Sequence, residues 1–227
     1  MELKKKIALI TGSSRGIGAQ LALDLSKEGA TVIITYNKSK KDAEKVLEKC
    51  KKNSKAYLIH LDVSDDQSII DAYEKLNKGN MLPDILINNS GVLFAGVFEK
   101  MSFEKIQTMS DVNFTGLIKT TKTFIPSLKK KKEALILNVA SVAPRYSSSY
   151  YIAYAATKAG VVNITKGLAN ELPKKIKVYC ISPGLTSTRM TKYLGVSTKK
   201  VSKVAINVLK ENIVLNSGED VDVREHF

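Results

Sequence analysis

The chain has 227 residues, a net charge of +14, and apolar and charged fractions of 44% and 26%, which is typical of a globular protein large enough for one substantial core. It has no apolar run of about 18 residues that could span a membrane. The apolar run at residues 7–10 is too short for a signal peptide, so we expect a cytoplasmic protein. Cys50 and Cys180 form no motif with each other or with a histidine, which argues against a disulfide framework and against a metal site.

The positive charge raises the question of a nucleic-acid partner. Of the 36 basic residues only four are arginines, the residue type favoured for bidentate contacts with bases and phosphates. The lysines are spread through most segments and are not interleaved with aromatic residues in one stripe. We therefore expect lysine-rich, solvated faces and no nucleic-acid partner. The arginines are Arg15, Arg145, Arg189 and Arg224.

Predicted strands and helices alternate from one end of the chain to the other. The predicted helices cover residues 19–26, 41–52, a stretch from about 65, 103–128, 150–171 and part of 190–210. This alternation predicts βαβ units with right-handed crossovers, and therefore an α/β Rossmann fold with a doubly wound, mostly parallel sheet. No linker or repeat divides it, so we expect a single domain over 1–227. The predicted strands are 6–11, 31–35, 56–61, 84–88, 134–139, 176–181 and 213–215.

The turn after the first strand is rich in glycine. Residues 11–18 are Thr-Gly-Ser-Ser-Arg-Gly-Ile-Gly, and an amphipathic helix follows. A glycine turn between a strand and a helix is the context that a dinucleotide-binding motif requires, because the backbone can approach a pyrophosphate and the helix N-terminus offers free N–H groups. A plain strand–helix turn is the alternative, and three glycines in seven residues count against it.

The residues after the second and third strands bear on the choice of cofactor. An acid after the second strand would hold the ribose of NAD, but this chain has Tyr36, Asn37 and Lys38 there. With Arg15 in the glycine turn, two cations and no carboxylate favour the 2′-phosphate of NADP, although Lys38 alone could be an ordinary surface lysine. Asp62, followed by Val63, could accept a hydrogen bond from an adenine amino group, belong to the N-cap region of the helix that starts near residue 65, or do both.

Two further polar segments interrupt apolar patterns. Short amides and a glycine at 88–91 predict a tight turn under a ligand at the end of the fourth strand. Asn113 and Gly116 interrupt the long helical pattern of 103–128, where a polar amide is unfavourable. We expect a bend at Asn113 that could bind an ordered water.

Tyr154 and Lys158 lie four residues apart, on one face of a predicted helix. A nearby ammonium stabilises a phenolate, so we expect the pKa of Tyr154 to fall below its free value of about 10. A phenol of this kind can transfer a proton near neutral pH. Such pairs occur on many surface helices, but Ser141, at the end of the fifth strand, can point its hydroxyl toward the same space.

Together these motifs resemble those of the short-chain dehydrogenases/reductases, in order and in spacing, from the first strand to about residue 190. Within that family the strings at 11–18 and 154–160 are most similar to 3-oxoacyl-(acyl-carrier-protein) reductases. The motifs that carry the resemblance are Thr11-Gly12-x-x-x-Gly16-Ile17-Gly18, Asn88-Asn89-Ser90-Gly91, Asn113, Ser141, Tyr154-x-x-x-Lys158 and Pro183-Gly184.

The resemblance implies roles for these residues. Tyr154 would be the general acid, and Lys158 would lower its pKa and bind the nicotinamide ribose. Ser141 would hydrogen-bond the substrate oxygen, and Asn113 would hold a water of a proton relay. Thr186 and Thr188 would orient the nicotinamide carboxamide. The cofactor-binding residues expected on these grounds are Gly12, Ser14, Arg15, Gly16, Ile17, Gly18, Tyr36, Asn37, Lys38, Asp62, Val63, Asn89, Ser90, Gly91, Tyr154, Lys158, Pro183, Gly184, Thr186 and Thr188.

The implied activity is NADPH-dependent reduction of a carbonyl to an alcohol, with a 3-oxoacyl thioester as the substrate and an acyl carrier protein as a candidate partner. Another small ketone, aldehyde, sugar or alcohol remains open. A non-catalytic NADP-binding sensor is a further alternative, against which the complete catalytic set argues. The resemblance also implies a homodimer through the helices at 103–128 and 150–171, and leaves a homotetramer open.

The chain departs from the family pattern at several points. Ser90 replaces the more usual alanine, and Thr186 stands where a branched aliphatic residue is common. After Met190 we expect only a short lid and one helix. No Asp-Gly-Gly follows the predicted last strand at 213–215, which puts the substrate pocket and the tetramer contacts in doubt.

Overall fold

The computed structural model describes residues 1–146 and 149–227 of the chain, and its framework is one sheet of seven parallel strands. Six strands match the predicted ones to within a residue at each end. The strands are β1 (Ile7–Ile10), β2 (Thr31–Tyr36), β3 (Ala56–His60), β4 (Ile85–Asn88), β5 (Ala134–Val139), β6 (Ile176–Ser182) and β7 (Asp220–Asp222). The central strands β1, β4 and β5 are covered on both faces and are nearly continuous apolar runs.

The helices cover both faces of the sheet, which confirms the doubly wound α/β fold. Successive side chains of a strand point to opposite faces. Ile10 packs in the core beneath α1 (Gly16–Lys27), α2 (Lys40–Lys51) and α7 (Thr198–Leu209), and Leu9 packs in the core beneath α3 (Asp66–Lys78) and α5 (Gly116–Lys130). No helix within the described residues is both long enough and apolar enough to cross a bilayer. The helices are α1 (Gly16–Lys27), α2 (Lys40–Lys51), α3 (Asp66–Lys78), α4 (Phe103–Ser110), α5 (Gly116–Lys130), α6 (Ile152–Glu171) and α7 (Thr198–Leu209).

The strand order β3-β2-β1-β4-β5-β6-β7 reverses direction between β1 and β4. At such a reversal the connections leave the sheet toward opposite faces, and a crevice opens at the carboxyl ends of the two strands. The glycine turn at 11–18 follows β1, and the amide-rich segment at 88–91 follows β4. The topology therefore brings these two segments together at one edge of the sheet.

The predicted bend in the helix at 103–128 is present as a five-residue π-helical turn, Asp111–Thr115, between α4 and α5. Asn113 lies within it. The glycine that follows is required by packing, because a Cβ at Gly116 would lie 2.6 Å from the backbone oxygen of Val63. The π turn therefore presses against the segment that follows β3.

The last strand is not where the sequence predicts it. Residues 213–215 form an irregular connection in which the Val214 side chain is 96% exposed, and β7 is instead Asp220–Asp222. The apolar run at 213–215 suits a strand, whereas aspartate is depleted in strands. Val221 nevertheless enters the core, and the two aspartates accept hydrogen bonds from arginine side chains. These long-range contacts outweigh the local preference.

Candidate active site

The glycine turn is held in shape by hydroxyl groups. Gly12 and Gly16 have φ angles of +64° and +61°, a conformation that favours glycine. The Gly12 N–H donates to Thr35 Oγ1 (2.9 Å), while the Thr35 N–H donates to Ser13 Oγ (2.8 Å). The Thr35 and Ser13 hydroxyls both donate to the Ile10 carbonyl. The sequence analysis did not identify Ser13 and Thr35 as residues that shape this turn. Their hydroxyl groups, in and beside apolar strands, were the pattern that could have indicated this role.

The segment after β4 closes on the same turn. The Asn89 side-chain amide donates to the carbonyls of Thr11 (2.9 Å) and Gly12 (3.2 Å), and Thr11 Oγ1 accepts from the N–H groups of Asn89 and Ser90. A Cβ at Gly18 would lie 2.4 Å from Asn89 Nδ2. The first turn of α1 therefore packs directly against the end of β4, with no room for a side chain.

The N-terminus of α1 suits a negatively charged group. Within the described structure no side chain caps this helix, and its first turn contains no acidic residue. The first N–H groups of a helix have no partner inside the helix and carry positive potential. This end of α1, with Ser14 and Ile17 on either side of the second glycine, can therefore bind a phosphate.

The residues after β2 and β3 form the outer wall of the crevice. Arg15 Nη1 donates to Ser39 Oγ (3.2 Å), and the Lys38 side chain is exposed. The Asn37 amide donates to one Asp62 oxygen, while the other oxygen accepts from the N–H and hydroxyl of Ser64. Although burial acts to raise the pKa of Asp62, these hydrogen bonds lower it overall, so Asp62 remains an ionised acceptor.

Asp62 lies in the N-cap region of α3, but the capping residue itself is Asp65. The Asp65 side chain accepts from the Gln67 N–H. Tyr36 packs edge-to-face on His60 across β2 and β3, with ring centroids 5.5 Å apart. The Val63 carbonyl lies against Gly116, at the end of the π turn.

Ser141, Tyr154 and Lys158 meet at the carboxyl end of β5. Lys158 is only 4% exposed, and its Nζ donates to the Val139 carbonyl (2.7 Å). Nζ also lies 5.9 Å from the centre of the Tyr154 ring. Burial lowers the pKa of Lys158 to about 8, so the ammonium is still mostly protonated at neutral pH.

The expectation of a lowered tyrosine pKa is wrong for the protein alone. Burial raises the pKa of Tyr154 to about 12, and a hydrogen bond with Ser141 opposes this rise only in part. The Lys158 ammonium is turned toward the Val139 carbonyl and not toward the phenol oxygen. In this state the phenol is a protonated acid at neutral pH.

Asn113 connects this group to the segment after β4. The buried Asn113 side chain accepts from the Val92 N–H (2.7 Å) and donates to the Val92 carbonyl (2.9 Å) and to Thr157 Oγ1 (3.2 Å). A Cβ at Gly91 would lie 3.4 Å from Asn113 Oδ1 and 3.7 Å from Lys158 Nζ. Both Nδ2 hydrogens are used, and Oδ1 accepts one of its two possible bonds, so a bound water would reach Asn113 by donating to Oδ1.

The segment after β6 closes the crevice from the other side. After Pro183 and Gly184, the Thr186 hydroxyl turns back to the Gly184 carbonyl (2.9 Å). The Thr188 methyl group would lie 3.4 Å from a Cβ at Gly16, so Thr188 sits against the glycine turn. The expected lid is indeed short, a 3₁₀ turn at Arg189–Thr191 before α7.

The fold and the crevice place this protein in the class of Rossmann-fold α/β proteins with a glycine turn at the switch point of the sheet. The chain belongs to the short chain dehydrogenase family, whose model matches residues 6–198. It is therefore an oxidoreductase of that family, and the resemblance found in the sequence is confirmed.

Several relatives are similar over most of the chain. A 3-oxoacyl-[acyl-carrier-protein] reductase FabG from Aquifex aeolicus is 33% identical over 210 residues, covering 91% of this chain and 84% of the relative. The protein of the same name from Staphylococcus aureus is 30% identical over 220 residues, covering 96% and 87%.

The fold is also shared with solved structures. One, titled as a ribose-5-phosphate isomerase from Brucella melitensis, has a TM-score of 0.86 at 27% identity and covers 97% of this chain and 92% of that chain. A provisionally titled short-chain alcohol dehydrogenase from Sinorhizobium meliloti has a TM-score of 0.89 at 22% identity, covering 98% and 96%. Because the titles name different reactions on one fold, function must be argued from the site.

Proposed function

We propose that the protein reduces a carbonyl group to an alcohol with NADPH as the hydride donor, and that its substrate is a 3-oxoacyl thioester. The observation that carries this proposal is the convergence of Ser141, Tyr154 and Lys158 at the carboxyl end of β5, beside Gly91 and the glycine turn. A hydroxyl, a protonated phenol and an ammonium are the groups that carbonyl reduction needs.

The crevice fits a dinucleotide. The uncapped N-terminus of α1 offers N–H groups to a pyrophosphate, and the glycines at 12 and 18 allow the turn and the first turn of α1 to pack against the segment after β4. On the other side, Thr186 and Thr188 would orient the nicotinamide end. When bound, the cofactor supplies the hydride that is transferred to the carbonyl carbon.

The side chains of the chain supply the proton and hold the oxygen. Tyr154, protonated at neutral pH, would donate its proton to the carbonyl oxygen as negative charge develops there. The Ser141 hydroxyl would donate a hydrogen bond to the same oxygen and stabilise that charge. The Lys158 ammonium would stabilise the phenolate that remains on Tyr154, and Asn113 would fix the π turn beside it. In the reverse direction the phenolate would act as the base.

The preference for NADPH over NADH follows from the outer wall of the crevice. Arg15 and Lys38 are cations there, and the end of β2 carries Asn37 in place of an acid. We expect Arg15→Ala to weaken NADPH binding about tenfold, because a charge-assisted contact with the 2′-phosphate is lost, and to leave NADH binding unchanged. Fluorescence titration with both cofactors measures this. An unchanged preference would contradict the proposed 2′-phosphate site.

A thioester of an apolar acyl chain suits the mouth of the crevice. Four large apolar side chains in and around the lid are between 44% and 66% exposed, namely Leu185, Met190, Tyr193 and Leu194. Exposed apolar side chains beside a cleft are typical of a binding surface. The name shared by the two relatives, 3-oxoacyl-[acyl-carrier-protein] reductase, supports a 3-oxoacyl group and makes an acyl carrier protein the candidate carrier.

A substrate screen tests the proposal. Loss of reduced-nicotinamide absorbance is followed with an acetoacetyl thioester and, in parallel, with a panel of simple ketones, aldehydes and sugars. We expect the highest kcat/KM for the thioester. Turnover of only the simple carbonyls would replace the proposed substrate class, and NADPH binding without turnover of any compound would favour a sensor.

We also propose a homodimer through α4, α5 and α6. Phe103, the first residue of α4, is 86% exposed, and Phe98 just before α4 and Ile152 at the start of α6 are 49% and 46% exposed. Several exposed apolar side chains on neighbouring elements are typical of an interface. Light scattering of the purified protein gives the mass of the particle. A monomer would contradict this proposal, and a tetramer would require a second interface.

A further inference from the structure

Two of the four arginines lie together at the carboxyl ends of β5, β6 and β7. Arg145 ends a 3₁₀ turn that begins two residues after Ser141, and Arg224 follows β7. Between them Asp222, 4% exposed, accepts from Arg145 Nη1 (2.7 Å) and from Arg224 Nε (2.9 Å). Asp220 accepts from Arg145 Nη2 (2.7 Å) and from the Ser182 hydroxyl (2.7 Å).

Arg224 also contacts both loops that flank the crevice on this side. Its Nη2 donates to the Tyr146 hydroxyl, and its guanidinium carbon lies 4.9 Å from the centre of the Tyr146 ring. Its Cδ would lie 3.0 Å from a Cβ at Gly184. Arg224 therefore touches the loop that carries Ser141 and the turn that leads to Thr186, while Asp222 holds its guanidinium in place.

The presence of arginine and not lysine at positions 145 and 224 indicates that the geometry of the side chain matters as well as its charge. Elsewhere the chain uses lysine for nearly all its cations, with 36 basic residues of which four are arginines. A guanidinium can donate to two oxygens of a carboxylate and to a third acceptor at fixed angles, whereas an ammonium is a point charge. Arg224 uses this fork, because it bonds both Asp222 oxygens and Tyr146.

We propose that Arg145, Asp222 and Arg224 are positioning residues of the active site, which hold the Ser141 loop and the Gly184–Thr186 turn at a fixed separation. The inference rests on the proposed function, because it assigns these residues to that reaction. The network lies at the end of β7, in the C-terminal segment that departs from the family pattern. An arginine fork performs the alignment, and none of the three residues needs to touch the reacting atoms.

The test compares kinetics with binding. Arg224→Met keeps the length of the side chain and removes the fork, and Arg224→Lys keeps the charge and removes the fork. We expect both variants to lose about tenfold in kcat with the acetoacetyl thioester, the order of effect of misplaced reacting groups, and to lose less in NADPH affinity, because the Gly184–Thr186 turn is only one of the proposed contacts of the cofactor. The matched control is Lys177→Met, which breaks the exposed pair with Glu211 at the opposite end of β6 and should alter neither quantity.

The possible outcomes separate the two proposals. Variants that melt at a lower temperature but retain the wild-type kcat and KM while folded would show a purely structural network and overturn this inference alone. Full activity in Arg224→Lys would overturn the requirement for a fork. If Arg224→Met does not fold, Tyr146→Phe, which removes one acceptor and keeps the ring, must lower kcat for the inference to stand. A wild type that reduces no carbonyl overturns the proposed function, and this inference with it.

Discussion

The two sides of the crevice are held together by different kinds of contact. One side, called the nucleotide side below, consists of the glycine turn after β1 and the segment after β4. Backbone groups, the Thr11 hydroxyl and the Asn89 amide hold these two segments together, and Gly12 and Gly18 allow their close approach. On the side formed after β6, charged side chains hold the loops together. A Cβ at Gly12 or Gly18 would collide with Ser90 or Asn89, so neither glycine can be replaced without moving its neighbours. A contact made by long side chains can be altered without altering the fold, so we expect the second side to determine what is particular to this chain.

The largest expected effect concerns the helix where the two sides meet. Tyr154→Phe removes the proposed proton donor and keeps the ring, so turnover should fall by about 10²–10⁴-fold, the usual contribution of general acid catalysis. NADPH binding should be retained. Steady-state rates and a fluorescence titration measure the two effects. Tyr150→Phe, at a ring that is 56% exposed, is the control and should be fully active; comparable activity in Tyr154→Phe would refute the proposed mechanism.

The second prediction concerns stability against pH. Burial lowers the pKa of Lys158 to about 8 in the folded protein, from 10.5. Between these values the unfolded chain binds more protons at this site, so the free energy of unfolding rises with pH. Relative to Lys158→Met, the wild type should gain on the order of 3 kcal/mol between about pH 8 and pH 10.5. Urea denaturation of both proteins measures this difference, and the comparison cancels the titration of the other lysines. A constant difference would mean that the ammonium is not buried.

The third prediction tests the nucleotide side directly. A Cβ at Gly18 would lie 2.4 Å from Asn89 Nδ2 and 2.8 Å from the Gly12 carbonyl, so Gly18→Ala should cost about 1–3 kcal/mol through overpacking and weaken NADPH binding. The control is Gly167→Ala in α6, because a Cβ at this position meets nothing within 4 Å. This substitution should stabilise the helix by about 0.5–1 kcal/mol. Denaturant titration gives both values. Equal effects of the two substitutions would contradict the close packing.

The smallest effect on stability is expected at the lid, on the side of the crevice formed after β6. Arg189 Nη1 lies 3.1 Å from Asp42 Oδ2 in the first turn of α2, and the Arg189 side chain is 57% exposed. Exposed ion pairs contribute at most about 1 kcal/mol and are screened by salt. Arg189→Ala should therefore leave the melting temperature almost unchanged, and a double-mutant cycle with Asp42→Asn measures the coupling. A coupling energy well above that limit would show that the lid is held more tightly than an exposed pair allows.

Strand and helix positions could be predicted from the sequence because they depend on local patterns. The period of apolar residues located β1 to β6, and the spacing of Gly12, Gly16 and Gly18 located the turn at the switch point. The lysine one helical turn after Tyr154 follows from helix geometry alone. Family membership followed from the same strings. In each case the information lies within a few neighbouring residues.

Other features depended on contacts between distant parts of the chain. The sequence predicted a last strand at 213–215, whereas β7 lies at Asp220–Asp222, where Arg145 neutralises carboxylates from 75 and 77 positions away. It predicted a lowered pKa for Tyr154, whereas desolvation by the surrounding structure raises this pKa to about 12.

The sequence by itself thus determined the α/β fold, the glycine turn and the tyrosine–lysine pair, since periodicity and short spacing are properties of neighbouring residues. Only the tertiary structure decided where the chain forms its last strand, which charges are paired and how strongly the tyrosine holds its proton. Burial and long-range ion pairs are set by what packs around a residue, and that packing exists only once the chain has folded.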